Sequence, residues 1–176
     1  MKFYVITGPS SSGKSTLINH LSQRGFPVIK EVARSVLAER ALHPSKDPYE
    51  FQNEIARRQL AEEEKARMLA GQLTFLDRGL YDQIAFCRHF GVKKLPAALM
   101  KTNSYDAAFI LEPITDFEKD GIRIENNIAE AISIKDMVVE EYKKRQIPCV
   151  HIPALSVEKR ADLILYWIKR HHQITV

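Results

Sequence analysis

Short apolar runs alternate along this chain with longer amphipathic stretches, and that alternation predicts an α/β architecture. Five runs read as buried strands, at residues 3–7, 27–30, 73–77, 107–111 and 149–152. Stretches with helical periodicity lie between and after them, at residues 14–23, 32–41, 48–70, 81–90, 126–145 and 157–171. In the longest of these, Phe51, Ile55 and Leu60 fall towards one side, while Arg57, Glu62, Glu63 and Lys65 fall mostly away from it. The run Glu62-Glu63-Glu64 therefore reads as a solvated helix face. Gly71 is a suitable stop for that helix, and Ser156 a ready N-cap for the last one. Strand–helix alternation at this spacing predicts a parallel sheet with helices on both faces, three layers in all. No repeat, linker or low-complexity tract breaks the pattern, so the 176 residues are expected to form one domain. A chain of that size buries about 70% of its unfolded surface without metals or disulfides.

Open parallel sheets bind ligands at the carboxyl ends of their strands, so the residues just past each strand carry most of the functional information. After the first comes Gly8-Pro9-Ser10-Ser11-Ser12-Gly13-Lys14-Ser15, which fits G-x-x-x-x-G-K-[ST]. Glycines at both ends let the backbone curl so that its N–H groups point inward at anionic oxygens. Lys14 supplies a cation for the outer phosphates, and the Ser15 hydroxyl can ligate Mg²⁺. The helix that follows aims its positive end at the same charge. The four fixed positions match by chance in only about one chain of this size in a hundred. The loop predicts binding of a nucleoside triphosphate.

The other junctions add charged groups around that loop. Asp77 ends the third apolar run, where a carboxylate is the expected second anchor for Mg²⁺; a helix N-cap or turn is its simpler use. Arg78 can pair with a phosphoryl group or take part in a surface ion pair. Glu31 follows the second strand and can orient an acceptor hydroxyl and take its proton, while Arg34 lies three residues on, placed to bind an acidic acceptor or to pair with Glu31. Helix capping by Glu31 and a plain ion pair are the structural alternatives. Between the fourth strand and the helix near residue 126 runs a polar, Gly/Pro-containing segment, residues 112–125, that can close as a lid. Its Arg123 would then neutralise charge developing on the γ-phosphoryl group; an exposed loop arginine is the alternative. Gln52, Arg58 and Gln59 on the long helix could read an acceptor, although solvation is the simpler reading for each.

Composition narrows the function further. The chain is 45% hydrophobic and 27% charged, with 26 Lys+Arg against 22 Asp+Glu and a net charge of +4. No Lys/Arg block or aromatic–basic interleaving points to nucleic acid. No apolar stretch approaches the ~20 residues that span a bilayer, and the strand beginning at Phe3 leaves no signal peptide in view. Cys87 and Cys149 lie far apart, outside any C-x-x-C, and read as buried free thiols in a reducing cytoplasm. The six histidines form neither H-x₃-H nor H-E-x-x-H, so no histidine metal site is expected. Trp167 is expected in the core of the last helix.

With these pieces in place, the chain resembles the ribosylnicotinamide-kinase-like (NadR-like) P-loop ATPase/kinase family, often described as an AAA-type ATPase domain. The resemblance runs nearly end to end. It rests on residues 8–16 including Thr16, on Glu31-Val32-Ala33-Arg34, and on Phe75-Leu76-Asp77-Arg78-Gly79 with Asp82. Asp120-Gly121-Ile122-Arg123 and Pro153-Ala154-x-Ser156-x-Glu158-x-Arg160 complete it. It implies a five-stranded sheet in the kinase-like order 2-3-1-4-5, ATP and Mg²⁺ on the loop, a mobile lid carrying Arg123, and a loop around Ala154 and Leu155 near the adenine. Under that order Asp77 lies about one strand spacing from the P-loop strand, and Glu31 a second spacing away across the acceptor cleft. Asp77 is thereby assigned to magnesium and Glu31 to the acceptor, with the reverse assignment open. The chain shows no helix-turn-helix or adenylyltransferase region such as accompanies the kinase in larger relatives.

The expected function is transfer of the ATP γ-phosphoryl group to a small-molecule hydroxyl, on a nucleoside or ribosylnicotinamide-like acceptor. The alternative is an ATPase or nucleotide-dependent switch with no acceptor. A guanine-reading Asn-Lys-x-Asp is missing, which disfavours GTP, and the ABC-type Leu-Ser-Gly-Gly-Gln is absent as well.

Overall fold

Phe3 and Val5 point to one side of the first strand and Tyr4 and Ile6 to the other, and all four are fully buried. A strand apolar on both faces belongs in the middle of a covered sheet. The computed structural model, which describes residues 1–69, 71, 73–101, 104–113 and 128–172, puts it there. Strands β1 (Lys2–Thr7), β2 (Val28–Ile29), β3 (Leu73–Asp77), β4 (Ala107–Leu111) and β5 (Cys149–Ile152) run parallel in the order β2-β3-β1-β4-β5. This is the order the family resemblance implied. Register sets Ile6 beside Asp77, so β1 and β3 deliver their carboxyl ends to the same edge.

Helices α1 (Lys14–Gln23) and α6 (Val157–His172) cover one face, packing Leu17, Leu21, Ile164 and Ile168 on Tyr4, Phe75 and Phe109. Helices α3 (Pro48–Met68), α4 (Leu80–His89) and α5 (Ile128–Lys144) cover the other, over Phe3, Val5, Leu76, Ala108 and Ile110. Helix α2 (Val32–Ala38) packs its Val32, Ala33 and Val36 on Phe51 and Ile55 of α3. It stops short of residue 41 because Arg40 turns into the left-handed region, φ 57°. A single 3₁₀ turn at Ala97–Met100 carried no periodic signal in the sequence. Trp167 packs edge-on against Phe109, centroids 5.5 Å apart, as expected of a core position. Cys87 is buried whereas Cys149 is only half-buried, and both are free. Among the described residues no helix is long and apolar enough to cross a membrane.

Helix α3 departs from its expected amphipathic layout. Glu63 is fully buried rather than solvated, and Gln52 and Gln59 are buried too. Lying between α2 and α4, the helix has more than one face enclosed, and Gln59 and Glu63 find their partners internally. The Tyr105 hydroxyl donates to Glu63 at 2.8 Å and accepts from the Leu80 amide at 2.9 Å, while Gln59 Nε2 donates to Glu63 at 2.9 Å. Burial and the adjacent Glu63 carboxylate hold the Tyr105 hydroxyl well above its ordinary pKa, so it stays a donor. Tyr105→Phe takes the acceptor from the Leu80 amide and one donor from the Glu63 carboxylate. It is expected to destabilise the fold by about 2 kcal/mol or more, read as a lower midpoint in urea at unchanged slope.

Candidate active site

The loop between β1 and α1 is shaped by its backbone requirements. Gly8 has φ 145°, and a Cβ there would meet the Leu111 carbonyl oxygen at 2.6 Å. Gly13 sits in the left-handed region at φ 81° and serves as N-cap of α1. Both ends of the curl are therefore restricted to glycine. Lys14 lies across the mouth of the curl, its Nζ donating to the carbonyls of Gly8 at 3.1 Å and Pro9 at 2.8 Å.

Ser15, on the first turn of α1, donates its hydroxyl to Asp77 Oδ2 at 3.0 Å. Asp77 Oδ1 is buried with no hydrogen-bond partner. The pair presents oxygen ligands of the kind hard divalent cations take. Burial and the neighbouring Glu31 charge push the Asp77 carboxyl up to about 6, against Lys14, Arg78 and the Ser15 bond, which pull it down. Among the described residues there is no cluster of three or more His, Cys, Asp or Glu side chains fit to hold a metal.

Across the cleft, Glu31 precedes α2 but makes no side-chain cap. It pairs instead with Arg34 at 2.9 Å and with Arg78 at 3.2 Å. Burial raises its pKa, but Arg78, Lys14 and Arg34 together outweigh that and leave it lowered, so Glu31 stays ionised at neutral pH. Arg78 adopts φ 70°, unusual for a residue with a side chain, and is held there from several sides. Its amide donates to the Ile6 carbonyl at 3.0 Å, and its guanidinium lies 5.0 Å over the Phe86 ring and 3.5 Å from Asp82. Asp82 is itself fully buried, and accepts from Thr7 Oγ1 at 2.5 Å, Tyr142 Oη at 2.5 Å and the Gly79 amide at 3.0 Å. It links the strand before the loop, the Arg78 turn and α5.

Most of these groups border a cleft of about 200 Å³, while Gly8, Asp77 and Asp82 lie outside its lining. Ser10, Ser11, Gly13, Lys14, Ser15, Thr16, Glu31, Arg34 and Arg78 all line it, so most of the site residues read from sequence come together. Ser12 is buried behind the loop. Ala154 and Leu155 are exposed on the β5–α6 loop, outside this cleft. Arg123 and most of the expected lid lie outside the described residues. Glu112 pairs with His151 at 2.9 Å and does not line the cleft. Leu37, Phe51, Ile55 and Phe86 make the far wall apolar, which the sequence did not reveal. Gln83 joins them, as does Gln52, one of the three α3 residues named as able to read an acceptor, whereas Arg58 and Gln59 do not line the cleft. Gln52 Oε1 is buried there with no hydrogen-bond partner. A signal existed in α3, where glutamines occupy positions of the buried helical stripe beside Phe51 and Ile55.

A glycine-ended anion loop, an acid beside its serine and a parallel 2-3-1-4-5 sheet define a P-loop nucleotide-binding domain of kinase-like topology. The sequence profile of the AAA domain family (AAA_28) matches residues 3–160, and the chain belongs to that family. Over 164 residues it is 26% identical to the trifunctional NAD biosynthesis/regulator protein NadR of Salmonella typhimurium, covering 88% of this chain and 39% of that protein. The chain thus spans about two-fifths of that relative's length. Among solved structures it is similar to a NadR protein in complex with NR, at 14% identity and TM-score 0.77 over 99% of this chain and 52% of that one. It is also similar to deoxyadenosine kinase from M. mycoides with bound dCMP and dCDP, at 16% identity and TM-score 0.70 over 96% and 99% of the two chains. At these identities the two structures establish the shared fold, and the sequence comparisons carry the family.

The raised Asp77 pKa has a measurable consequence for folding. The folded chain holds this proton up to about pH 6, whereas the unfolded chain releases it near 3.8. The stability that goes with the bound proton is complete below the lower value and lost as pH rises through the upper one. Asp77→Asn keeps an acceptor for Ser15 and carries no charge. It is expected to be more stable than the parent at pH 7.5, on the order of 1–3 kcal/mol, with the gain vanishing near pH 4. Urea unfolding at the two pH values checks this.

Proposed function

We propose that the protein transfers the γ-phosphoryl group of ATP to a hydroxyl of a small molecule, of nucleoside or ribosylnicotinamide type. The observation that carries this is the position of Glu31. It is an ionised carboxylate on the wall facing the phosphate loop, flanked by Arg34 and Arg78, at the mouth of an apolar chamber. A hydrolase needs only a water there; an apolar chamber lined with carboxamides suits an organic acceptor. The names of the NadR relative and of the deoxyadenosine kinase support a phosphoryl acceptor of this kind.

In this reading the loop amides and Lys14 hold the triphosphate, with Thr16 at the opening of α1 and Ala154 and Leu155 beside the adenine. Ser15 and Asp77 hold Mg²⁺, which when bound offsets phosphate charge; the orphaned Asp77 Oδ1 fits that use. The acceptor ring lies against Phe51 and Phe86, and Gln52 Oε1 receives an N–H from it. The acceptor hydroxyl gives its proton to Glu31 as its oxygen bonds to the γ-phosphorus, and the bond to the β–γ bridging oxygen breaks to leave ADP. Arg78 gives up its bond to Glu31 for the transferring group, kept in place by Asp82. Arg123 on the segment 112–125 closes over the phosphates, and water exclusion favours transfer over hydrolysis. An ATP-consuming enzyme with two free thiols belongs in the cytoplasm.

Incubation with ATP, Mg²⁺ and a mixture of nucleosides and ribosides, followed by mass spectrometry, is expected to show one phosphorylated product. Equal ADP release with and without every acceptor would favour the ATPase or switch instead. Glu31→Gln is expected to cut acceptor-dependent turnover by about 10²–10⁴-fold with ATP affinity within about threefold of the parent. Lys14→Ala is expected to weaken ATP binding by about tenfold or more in calorimetric titration.

A further inference from the structure

Arg160, one turn into α6, is 2% exposed, yet its guanidinium meets only main-chain oxygens among the described residues. Nε donates to the Pro153 carbonyl at 3.0 Å, Nη2 to the Glu112 carbonyl at 3.2 Å, and Nη1 to the Ser12 carbonyl. A full positive charge is thus kept in the interior and answered by peptide dipoles. Burial alone shifts its pKa, downward, with no acid acting on it. Stability does not account for such a choice, because an apolar side chain of similar volume fills a buried site at lower cost. The three carbonyls belong to the phosphate loop, the residue after β4, and the β5–α6 loop, all at the carboxyl edge of the sheet.

The Ser12 contact reaches furthest. The described peptides include no cis bond. In a trans peptide the N–H points opposite to the C=O. With the Ser12 carbonyl drawn back to Arg160, the Gly13 N–H of the same peptide is turned towards the cleft that Gly13 lines. A cation on the carbonyl oxygen also polarises the peptide and strengthens its N–H as a donor.

We propose that Arg160 is a positioning residue for the polyphosphate. It locks the Ser12–Gly13 peptide with its N–H facing the phosphates and adds, from behind the loop, a desolvated positive charge that the phosphates feel and the nucleoside does not. This rests on the donor half of the reading above, ATP on the loop, and is independent of the acceptor.

Calorimetric titration of the full chain with AMP, ADP and ATP, in the parent, Arg160→Lys and Arg160→Met, tests it. The expected result is a loss that grows with phosphate number. Arg160→Met should weaken ADP and ATP by about 10–100-fold and AMP by less than about threefold. Arg160→Lys should recover part of the loss, since it keeps the charge without the fork that spans three carbonyls. Equal losses for all three nucleotides would reduce Arg160 to a structural support and overturn the inference, as would parental ATP affinity in Arg160→Met. If Arg160→Met does not fold, the Gly13 amide proton decides. It is expected to move upfield between the parent and Arg160→Lys, and an unmoved resonance overturns the proposal. A parent that binds no ATP overturns the donor reading along with it, whereas normal parental binding with unaffected variants overturns this inference alone.

Discussion

Three cations, Lys14, Arg34 and Arg78, and one anion, Glu31, line the cleft with the buried Asp77 carboxylate close behind, and the rest of the structure follows from holding them there. The cations outnumber the carboxylates but compensate them unequally. Glu31 faces the arginines and stays ionised, while Asp77, deeper and beside Glu31, is pushed towards its neutral form. The same spacing that leaves Asp77 under-compensated leaves one of its oxygens without a partner. An anionic polyphosphate with its cation, as proposed above, would complement both the lysine and the aspartate.

Keeping those groups apart requires rigid supports on both faces of the sheet. On one, Asp82 ties Thr7, Gly79, Arg78 and Tyr142 together, and Glu63 with Tyr105 and Gln59 forms a second buried network next to it. On the other, Arg160 joins the phosphate loop to the ends of β4 and β5. Buried polar networks cost stability unless every member is satisfied, and here most members are. The left-handed backbone of Arg78 is the strain they hold in place.

The elements and the phosphate side of the site were legible because both depend on local sequence. Alternating apolar runs mark strands wherever both faces are covered, and the loop glycines mark a curl only glycine can make. On the facing side Glu31, Arg34 and Gln52 were picked out as well, but the apolar wall and the enclosure of α3 were not. Glu63 and Gln52 look like solvated residues of a charged helix, and only the packing of α2 and α4 around α3 encloses them. Asp82 and Arg160 stood within motif segments, but their roles depend on partners 60 and 148 residues away.

By itself the sequence determined the alternation of strands and helices, the phosphate loop, and the charged residues at the strand ends, because each is encoded in a stretch shorter than a helix. Tertiary structure alone decided that Arg78 turns to Glu31 and Asp82, and that two glutamines face an apolar chamber. The physical reason is that strand order and helix enclosure bring distant residues into one low-dielectric space. Which charge is buried beside which, and hence what each can do, is a property of that space rather than of any segment.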